Sequence, residues 1–226
     1  MGTRFPARHE VPEFSVFASL LRMTTKYGYS SVRNQLVKDL KGAYPTKWEA
    51  YQAAEIRGED AFGSPKPHPN AVLRLFLEQD IRFALPFAAY CASTAGFPSL
   101  VSDKPGTVLP CHTLATTTHG MHLVRALMGQ AARAIVFESN LGVCANAKCI
   151  LSAGTEPFEH RVEALKKLHA MFLVKREGGE LTPLQLGHLV CSKCATGIQA
   201  SHTAWRSTCW EQLPGMFSIA QNWDEL

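Results

Sequence analysis

The chain has 226 residues, of which 46% are hydrophobic and 19% are charged, and its formal net charge is +4. This composition is globular and excludes an intrinsically disordered chain, which would be less apolar. The charge is mild for the length and no run of five or more basic residues occurs, so a basic arm for nucleic acid is not expected. The length suits one large domain or two small ones.

The N-terminal residues lack the apolar stretch of a secretory signal. Arg4, Arg8, His9 and Glu10 interrupt them, so no signal peptide is expected. No segment approaches the roughly 20 apolar residues of a membrane-spanning helix. We therefore expect an intracellular protein, of the cytoplasm or nucleus, with no membrane partner. In that compartment the seven cysteines should be reduced, bound to metal or buried.

The start of the chain predicts a helical hairpin. Apolar residues at helical spacing predict a helix over 14–27, and Gly28 is suited to end it because glycine enters the left-handed cap freely. The spaced residues are Val16, Leu20, Met23 and Tyr27. A second helix begins at Ser30 or Ser31 and ends near Gly42.

The middle of the chain alternates helices and loops. A capping box at Thr46–Glu49 predicts a third helix. Residues 58–69 contain two glycines and three prolines and predict a loop. A helix follows over 70–79, with Pro69 suited to its first turn. A very apolar and therefore buried helix is predicted next, over 82–95. Residues 97–110 predict a second long loop.

Two longer amphipathic helices are predicted next. The first spans 113–138, with Gly120 and Gly129 weakening it by up to ~1 kcal/mol each relative to alanine. The second spans 157–175. Neither segment contains the alternating pattern of a strand.

The last predicted helix opens at a capping box, Thr182–Gln185, and runs to Glu211, before Pro214 and Gly215 break it. Beyond the break, the tail is expected to fold back and pack its aromatic side chains on the body. The alternative is that some of them are exposed anchors for a partner. The aromatic residues concerned are Trp205, Trp210, Phe217 and Trp223.

These elements predict an all-α fold of about eight helices in an irregular array. No clear strand run, hairpin turn or repeat of fixed period accompanies them. The loop that begins at residue 58 divides the chain into a first part, 1–57, and a helical C-terminal domain, 58–226, which carries two cysteine pairs.

The two cysteine pairs predict a structural zinc site. Cys144 and Cys149 form a C-x4-C pair, and Cys191 and Cys194 form a C-x2-C pair near the last helix. Zn²⁺ prefers four soft ligands in a tetrahedron, and four thiolates leave no open position for catalysis. One Zn²⁺ held by these four sulfurs would therefore staple the helices.

Two other interpretations of the pairs stay open. His188 or His202, both near the second pair, could replace one sulfur. The cysteines could instead be reduced and buried, because free cysteine is among the most buried residue types. Cys91, Cys111 and Cys209 are expected to be structural in either case.

The sequence offers no recognisable catalytic motif. The phosphate-binding, dinucleotide-binding, nucleophile-elbow and HExxH zinc-protease patterns are all missing. His119 and His122 share one helical face, but no carboxylate or third histidine lies at a metal-binding spacing. If the chain were an enzyme of unfamiliar type, these histidines with Cys111 and His112 would be the first candidates.

Four segments carry a resemblance to a known family. They are residues 14–51, the apolar run ALPFAAYCAS at 84–93, the Cys144/Cys149 pair, and residues 189–226. Together they resemble fungal, basidiomycete BTB/POZ-domain proteins over most of the chain from residue 14. The first segment is similar to the final helical hairpin of the BTB fold, followed by Tyr44–Trp48. The rest is similar to the helical extension that follows the BTB domain.

The resemblance implies only the last BTB-type helices within residues 1–57, without the β-sheet part used for dimerisation. The function expected is a non-catalytic protein-interaction or scaffold module that binds another protein, with no small-molecule substrate. Two alternatives predict different features. A nucleic-acid-binding zinc protein would gather basic residues near the cysteines, and an enzyme would have a concave pocket with convergent polar groups.

Overall fold

The computed structural model describes residues 13–57, 62–63, 65–134 and 191–226. These residues form eight α-helices and no strand, which confirms the predicted all-α class. The helices are α1 (Phe14–Lys26), α2 (Ser30–Ala43), α3 (Trp48–Arg57), α4 (Pro69–Glu78), α5 (Leu85–Thr94), α6 (Phe97–Leu100), α7 (Cys111–Arg133) and α8 (Ser192–Met216). Short 3-10 turns lie at Arg82–Ala84 and Trp223–Glu225.

The hairpin of α1 and α2 forms as the sequence predicts. Gly28 has φ +70°, which a glycine adopts without steric cost. The backbone N–H of Tyr29 then donates to the carbonyl oxygen of Thr24 at 2.9 Å, the long bond of a Schellman cap. A local backbone signal is therefore enough to end α1 here.

A buried asparagine connects α4 to the loop beyond α5. Pro69 occupies the first turn of α4, and Asn70 behind it is fully buried. Its Nδ2 donates to the carbonyl oxygens of Ser99 (2.9 Å), Leu100 (3.1 Å) and Thr107 (3.1 Å). Part of the predicted loop 97–110 is the short helix α6, so the prediction of loop throughout was wrong there.

The core is centred on Trp210 of α8, which is fully buried. Its ring stacks on Tyr51 of α3 at 4.4 Å and contacts Phe87 of α5 at 5.3 Å between centroids. Its indole N–H donates to the carbonyl oxygen of Thr46 at 3.0 Å. Residues on both sides of the predicted boundary at 57/58 thus share one hydrophobic cluster.

The tail folds back on the body, as expected. Phe217 is 2% exposed and Trp223 is 9% exposed, and the Trp223 ring stacks on Trp210 at 5.1 Å. The predicted break at Pro214 is wrong, because α8 continues through it to Met216. Proline removes one helical donor, and the tail supplies another, since Nε1 of Trp223 donates to the carbonyl oxygen of Trp210.

Several predicted segments fall outside the described residues. They are the helix over 157–175 and the capping box at Thr182–Gln185; of the predicted last helix, the described part begins at Ser192. The helix predicted from 113 begins two residues earlier, at Cys111, and is described to Arg133. No described helix is long and apolar enough to cross a membrane.

Candidate protein-interaction surface

The outward face of α1 carries a continuous row of apolar side chains. The four residues follow one another at intervals of four, three and four, which places them along one face of the helix. Their exposed fractions are 50% for Val16, 36% for Leu20, 53% for Met23 and 58% for Tyr27. We call these four residues the α1 stripe. Large contiguous apolar patches are typical of interaction sites, whereas single exposed apolar residues are ordinary on protein surfaces.

The opposite face of α1 is buried and sets the rotation of the helix. Phe17, Ala18 and Leu21 are each no more than 3% exposed. Phe17 also meets the ring of Phe62 edge-on, with 5.5 Å between centroids. The helix cannot turn its stripe inward without exposing these residues, so core packing presents the stripe to solvent.

Polar contacts with the end of α4 hold α1 in the same orientation. Arg22 donates to Oε2 of Glu78 at 3.1 Å and 2.8 Å, and Arg74 donates to Oε1 at 2.7 Å. Partial burial raises the pKa of Glu78, but hydrogen bonds and charges from both arginines outweigh it and hold the pKa below its usual value. Glu78 is therefore ionised at neutral pH and binds the guanidinium of Arg22.

The C-terminal end of the α1 stripe is aromatic. Tyr29, just beyond α1, is 61% exposed, and its ring centroid lies 6.5 Å from that of Tyr27. Nζ of Lys26 lies 5.4 Å from the Tyr27 centroid, which gives the patch a cationic edge. Tyrosine and methionine are enriched in protein interfaces. This surface can remove apolar area from water, and the α1 stripe itself carries no ionisable group other than a phenol.

Two of the four predicted zinc ligands, Cys191 and Cys194, lie within the described residues. Cys191 is the N-cap of α8 and is partly buried, and Cys194 lies in the first turn at 4% exposure. Cys144, Cys149 and His188 lie outside the described residues. Within the described ranges, no three histidine, cysteine or carboxylate side chains gather in a way that could hold a metal ion. The four-cysteine site therefore stays a prediction.

His202 lies in the interior of α8, away from the second cysteine pair. It is eight residues beyond Cys194 on a continuous helix, so the two Cα atoms are about 12 Å apart along the axis. Residues that bind one ion from a single helix usually lie about one turn apart, as Cys191 and Cys194 do, so this separation disfavours His202 as a substitute in a site that contains Cys194. The side chain is 1% exposed, and burial, aided by the charge of Arg206, lowers its pKa to about 4.

The side chains suspected of catalysis lie on the surface of α7. Cys111, His112, His119 and His122 are all exposed. His112 is within 3.2 Å of the hydroxyl of Thr113, its neighbour in sequence. The expectation that Cys111 is structural is wrong with respect to packing, because the first turn of α7 leaves it in solvent. Exposed groups in water lack the low-dielectric surroundings that strengthen catalytic electrostatics.

A cavity of about 170 Å³ lies beside α4 and α5, with Tyr44 and Val72 in its wall. Cys91 also lines it, and burial raises the pKa of its thiol to about 12. Burial likewise raises the pKa of the Cys209 thiol to about 12, although the charge of Arg206 opposes this. Both thiols are protonated at neutral pH, whereas a nucleophilic cysteine needs the thiolate.

Sequence reasoning identified the residues of the α1 stripe but did not predict that they are exposed. The helix is apolar on two faces, since Phe17 and Leu21 alternate with Val16 and Leu20. A helix with so wide an apolar surface is either buried all round or exposes one face for binding. The width of the apolar surface of α1 was therefore the sequence feature that could have indicated an exposed face.

The chain matches no protein-family model, no curated protein and no solved structure. The resemblance to BTB-domain proteins therefore depends on the four sequence segments alone, and the functional argument depends on the geometry of the described residues.

Proposed function

We propose that this chain is a non-catalytic helical protein-interaction module, similar to the region that follows the BTB domain in fungal proteins. Its docking surface is the α1 stripe. The observation that carries the proposal is that four apolar side chains, 36% to 58% exposed, line one face of α1, while the opposite face of α1 is buried in the core.

The α1 stripe is suited to binding because it is already in place. Val16, Leu20 and Met23 stand on a regular helix, and Tyr27 is its C-cap. Core packing and the Arg22–Glu78 contact hold this helix in place. Preorganised apolar groups lose little conformational freedom when a partner covers them, so more of the burial energy appears as affinity. The gain is roughly 25 cal/mol for each Å² of apolar surface removed from water.

The predicted zinc, held by Cys144, Cys149, Cys191 and Cys194, belongs to this proposal as a structural staple and not as the docking site. Neither alternative function is favoured by a specific observation among the described residues. The thiols of Cys91 and Cys209 are protonated, because burial raises the pKa of each to about 12, and the suspected histidines are solvated. A cytoplasmic or nuclear location is likewise part of the proposal.

The test compares the wild-type chain with a stripe variant that carries Leu20→Ser and Met23→Ser. The matched control carries Leu123→Ser and Phe97→Ser, because these residues are 38% and 53% exposed, against 36% and 53% for the stripe pair. Each tagged chain is co-expressed in cells with a copy of the same variant that carries a second tag. The complexes are crosslinked and captured, and the bound proteins, including the second copy, are quantified by mass spectrometry. Circular dichroism melting confirms that all three are folded.

We expect the wild type and the control to capture the same specific proteins. The stripe variant should capture each of these proteins in an amount at least tenfold lower. Two truncated interface residues commonly weaken binding by that factor, which is about 1.4 kcal/mol. The same set of bound proteins in all three samples would rule out the α1 stripe as the docking surface.

A further inference from the structure

We infer that a second copy of this chain occupies the α1 stripe, with the two α1 helices packed antiparallel about a two-fold axis. This inference rests on the proposed function and names the partner. Three features of α1 support it: the spacing of the stripe, the charges at its ends, and the fixed orientation of the helix.

The spacing of the α1 stripe is that of a helix–helix seam. Intervals of four, three and four residues are those of the a and d positions of a coiled coil. The series reads the same in both directions, so a two-fold axis midway between Leu20 and Met23 maps the stripe onto itself. Leu20 of one copy then faces Met23 of the other. Val16 faces Tyr27 in the same way.

The end charges favour the antiparallel arrangement. Glu13 precedes α1 and Lys26 lies in its last turn, and both are exposed. In an antiparallel pair, the acidic end of each helix lies beside the basic end of the other. In a parallel pair, each end would meet its own charge. Arg22, the charged residue nearest the middle, is engaged with Glu78 and adds no repulsion.

The size of the surface predicts a weak dimer. Four or five partly exposed side chains supply less than the roughly 800 Å² per partner of a standard interface. Interfaces below that size form reversible complexes, so we expect a dissociation constant in the micromolar range or weaker. The rigid presentation of the α1 stripe by the core keeps the association specific despite its small area.

The experiment is sedimentation equilibrium of the full 226-residue chain at micromolar to near-millimolar concentrations. A reducing agent is present because exposed Cys111 would otherwise crosslink copies. The variants are Leu20→Lys and Met23→Glu, examined separately and as an equimolar mixture. Leu123→Lys, on α7, is the control, since Leu123 is 38% exposed and lies outside the stripe. Circular dichroism melting verifies folding, and the milder Met23→Ser replaces any variant that does not fold.

We expect the wild type and the control to approach twice the monomer mass with rising concentration, while each stripe variant dissociates at least tenfold more readily. In the mixture, one lysine faces one glutamate across the antiparallel seam, and the other contact is wild-type Leu20 against Met23. The mixture should therefore dimerise again. A parallel pair would leave both layers disrupted, so a mixture that stays monomeric overturns the antiparallel arrangement.

Two other results would overturn the inference as a whole. One is a wild type that remains monomeric at every concentration. If the stripe variant nevertheless loses captured proteins other than its own second copy, the docking function stands and the partner is a different protein. The second is a dimer that Leu20→Lys weakens no more than Leu123→Lys does, because that dimer would use another surface.

Discussion

The indole N–H of Trp223 donates a 2.8 Å hydrogen bond to the backbone carbonyl oxygen of Trp210, four residues before Pro214. That carbonyl would ordinarily accept from the N–H of residue 214, which proline lacks. The tail therefore supplies the donor that the helix is missing, in a buried position where an unsatisfied carbonyl is costly. The same contact stacks the two indole rings at 5.1 Å.

Replacing Trp223 by phenylalanine should destabilise the fold by about 1–3 kcal/mol, because the ring area is largely kept but the carbonyl of Trp210 loses its partner. Adding Pro214→Ala should recover part of this loss, since alanine restores a helical donor to that carbonyl. Urea unfolding of both single variants and the double variant measures the coupling. Strictly additive effects would mean that the two donors do not serve the same oxygen.

Two glycines of α7 should respond in opposite directions to alanine. A Cβ at Gly120 would lie 2.3 Å from Cδ1 of Phe217, whereas one at Gly129 would meet nothing within 4 Å. Gly120→Ala should therefore cost about 1–3 kcal/mol through overpacking, despite the better helix former. Gly129→Ala should stabilise the protein by up to about 1 kcal/mol. Thermal melting of the two variants measures both changes. Equal shifts in their melting temperatures would contradict the close approach of Phe217 to α7.

Acidification should unfold the protein partly through His202. The pKa of His202 is about 4 in the folded state, against 6.5 ordinarily, first because of burial and then because of the charge of Arg206. Between these pH values the unfolded chain binds a proton that the folded chain does not, so stability falls as pH decreases. The loss should reach about 3 kcal/mol by pH 4.

The measurement is the free energy of unfolding at pH 7 and pH 5, where the expected difference from His202 is about 2 kcal/mol. His202→Leu should remove that difference, whatever it does to stability at pH 7. His122→Gln, a change at an exposed histidine of α7, should leave the difference in place. An unchanged pH dependence in His202→Leu would show that other groups are responsible. Glu78 titrates below the range from pH 5 to pH 7, because its pKa is lower than the usual value of a glutamate.

The zinc prediction is tested by comparing two buried cysteines. Cys194 is 4% exposed and belongs to the predicted ligand set, while Cys209 is 0% exposed and does not. If the site exists, elemental analysis should find about one zinc per chain in the wild type and in Cys209→Ser, and much less in Cys194→Ser. A chelator should lower the melting temperature only where zinc was present. Metal-free wild-type protein would leave the cysteines as packing residues.

Local signals in the sequence predicted most of the helix boundaries. Gly28 ends α1 because its backbone adopts φ +70°, and Pro69 lies in the first turn of α4, where no helical N–H is needed. Such signals act within a few residues, so they can be recognised without knowledge of the tertiary fold. The burial of α5 was predictable for a related reason, because an almost wholly apolar segment has no face for water.

The candidate site was not predictable in the same way. The sequence shows that α1 is apolar on two sides, but it contains no rule for choosing which side the core takes. That choice depends on Phe62 and on Glu78 at the end of α4, which are distant in the chain and reach α1 only after folding. The separation of His202 from Cys194 by about two helical turns likewise followed only from the continuity of α8.

By itself, the sequence determined that this protein is all-helical, and it determined where most of its described helices begin and end, because helix periodicity, glycine and proline act locally. Only the tertiary structure decided that Val16, Leu20, Met23 and Tyr27 face water, because burial is a competition between faces that the whole core settles. The same holds for α8, which passes through Pro214 because Trp223, brought back by the fold, supplies the missing donor.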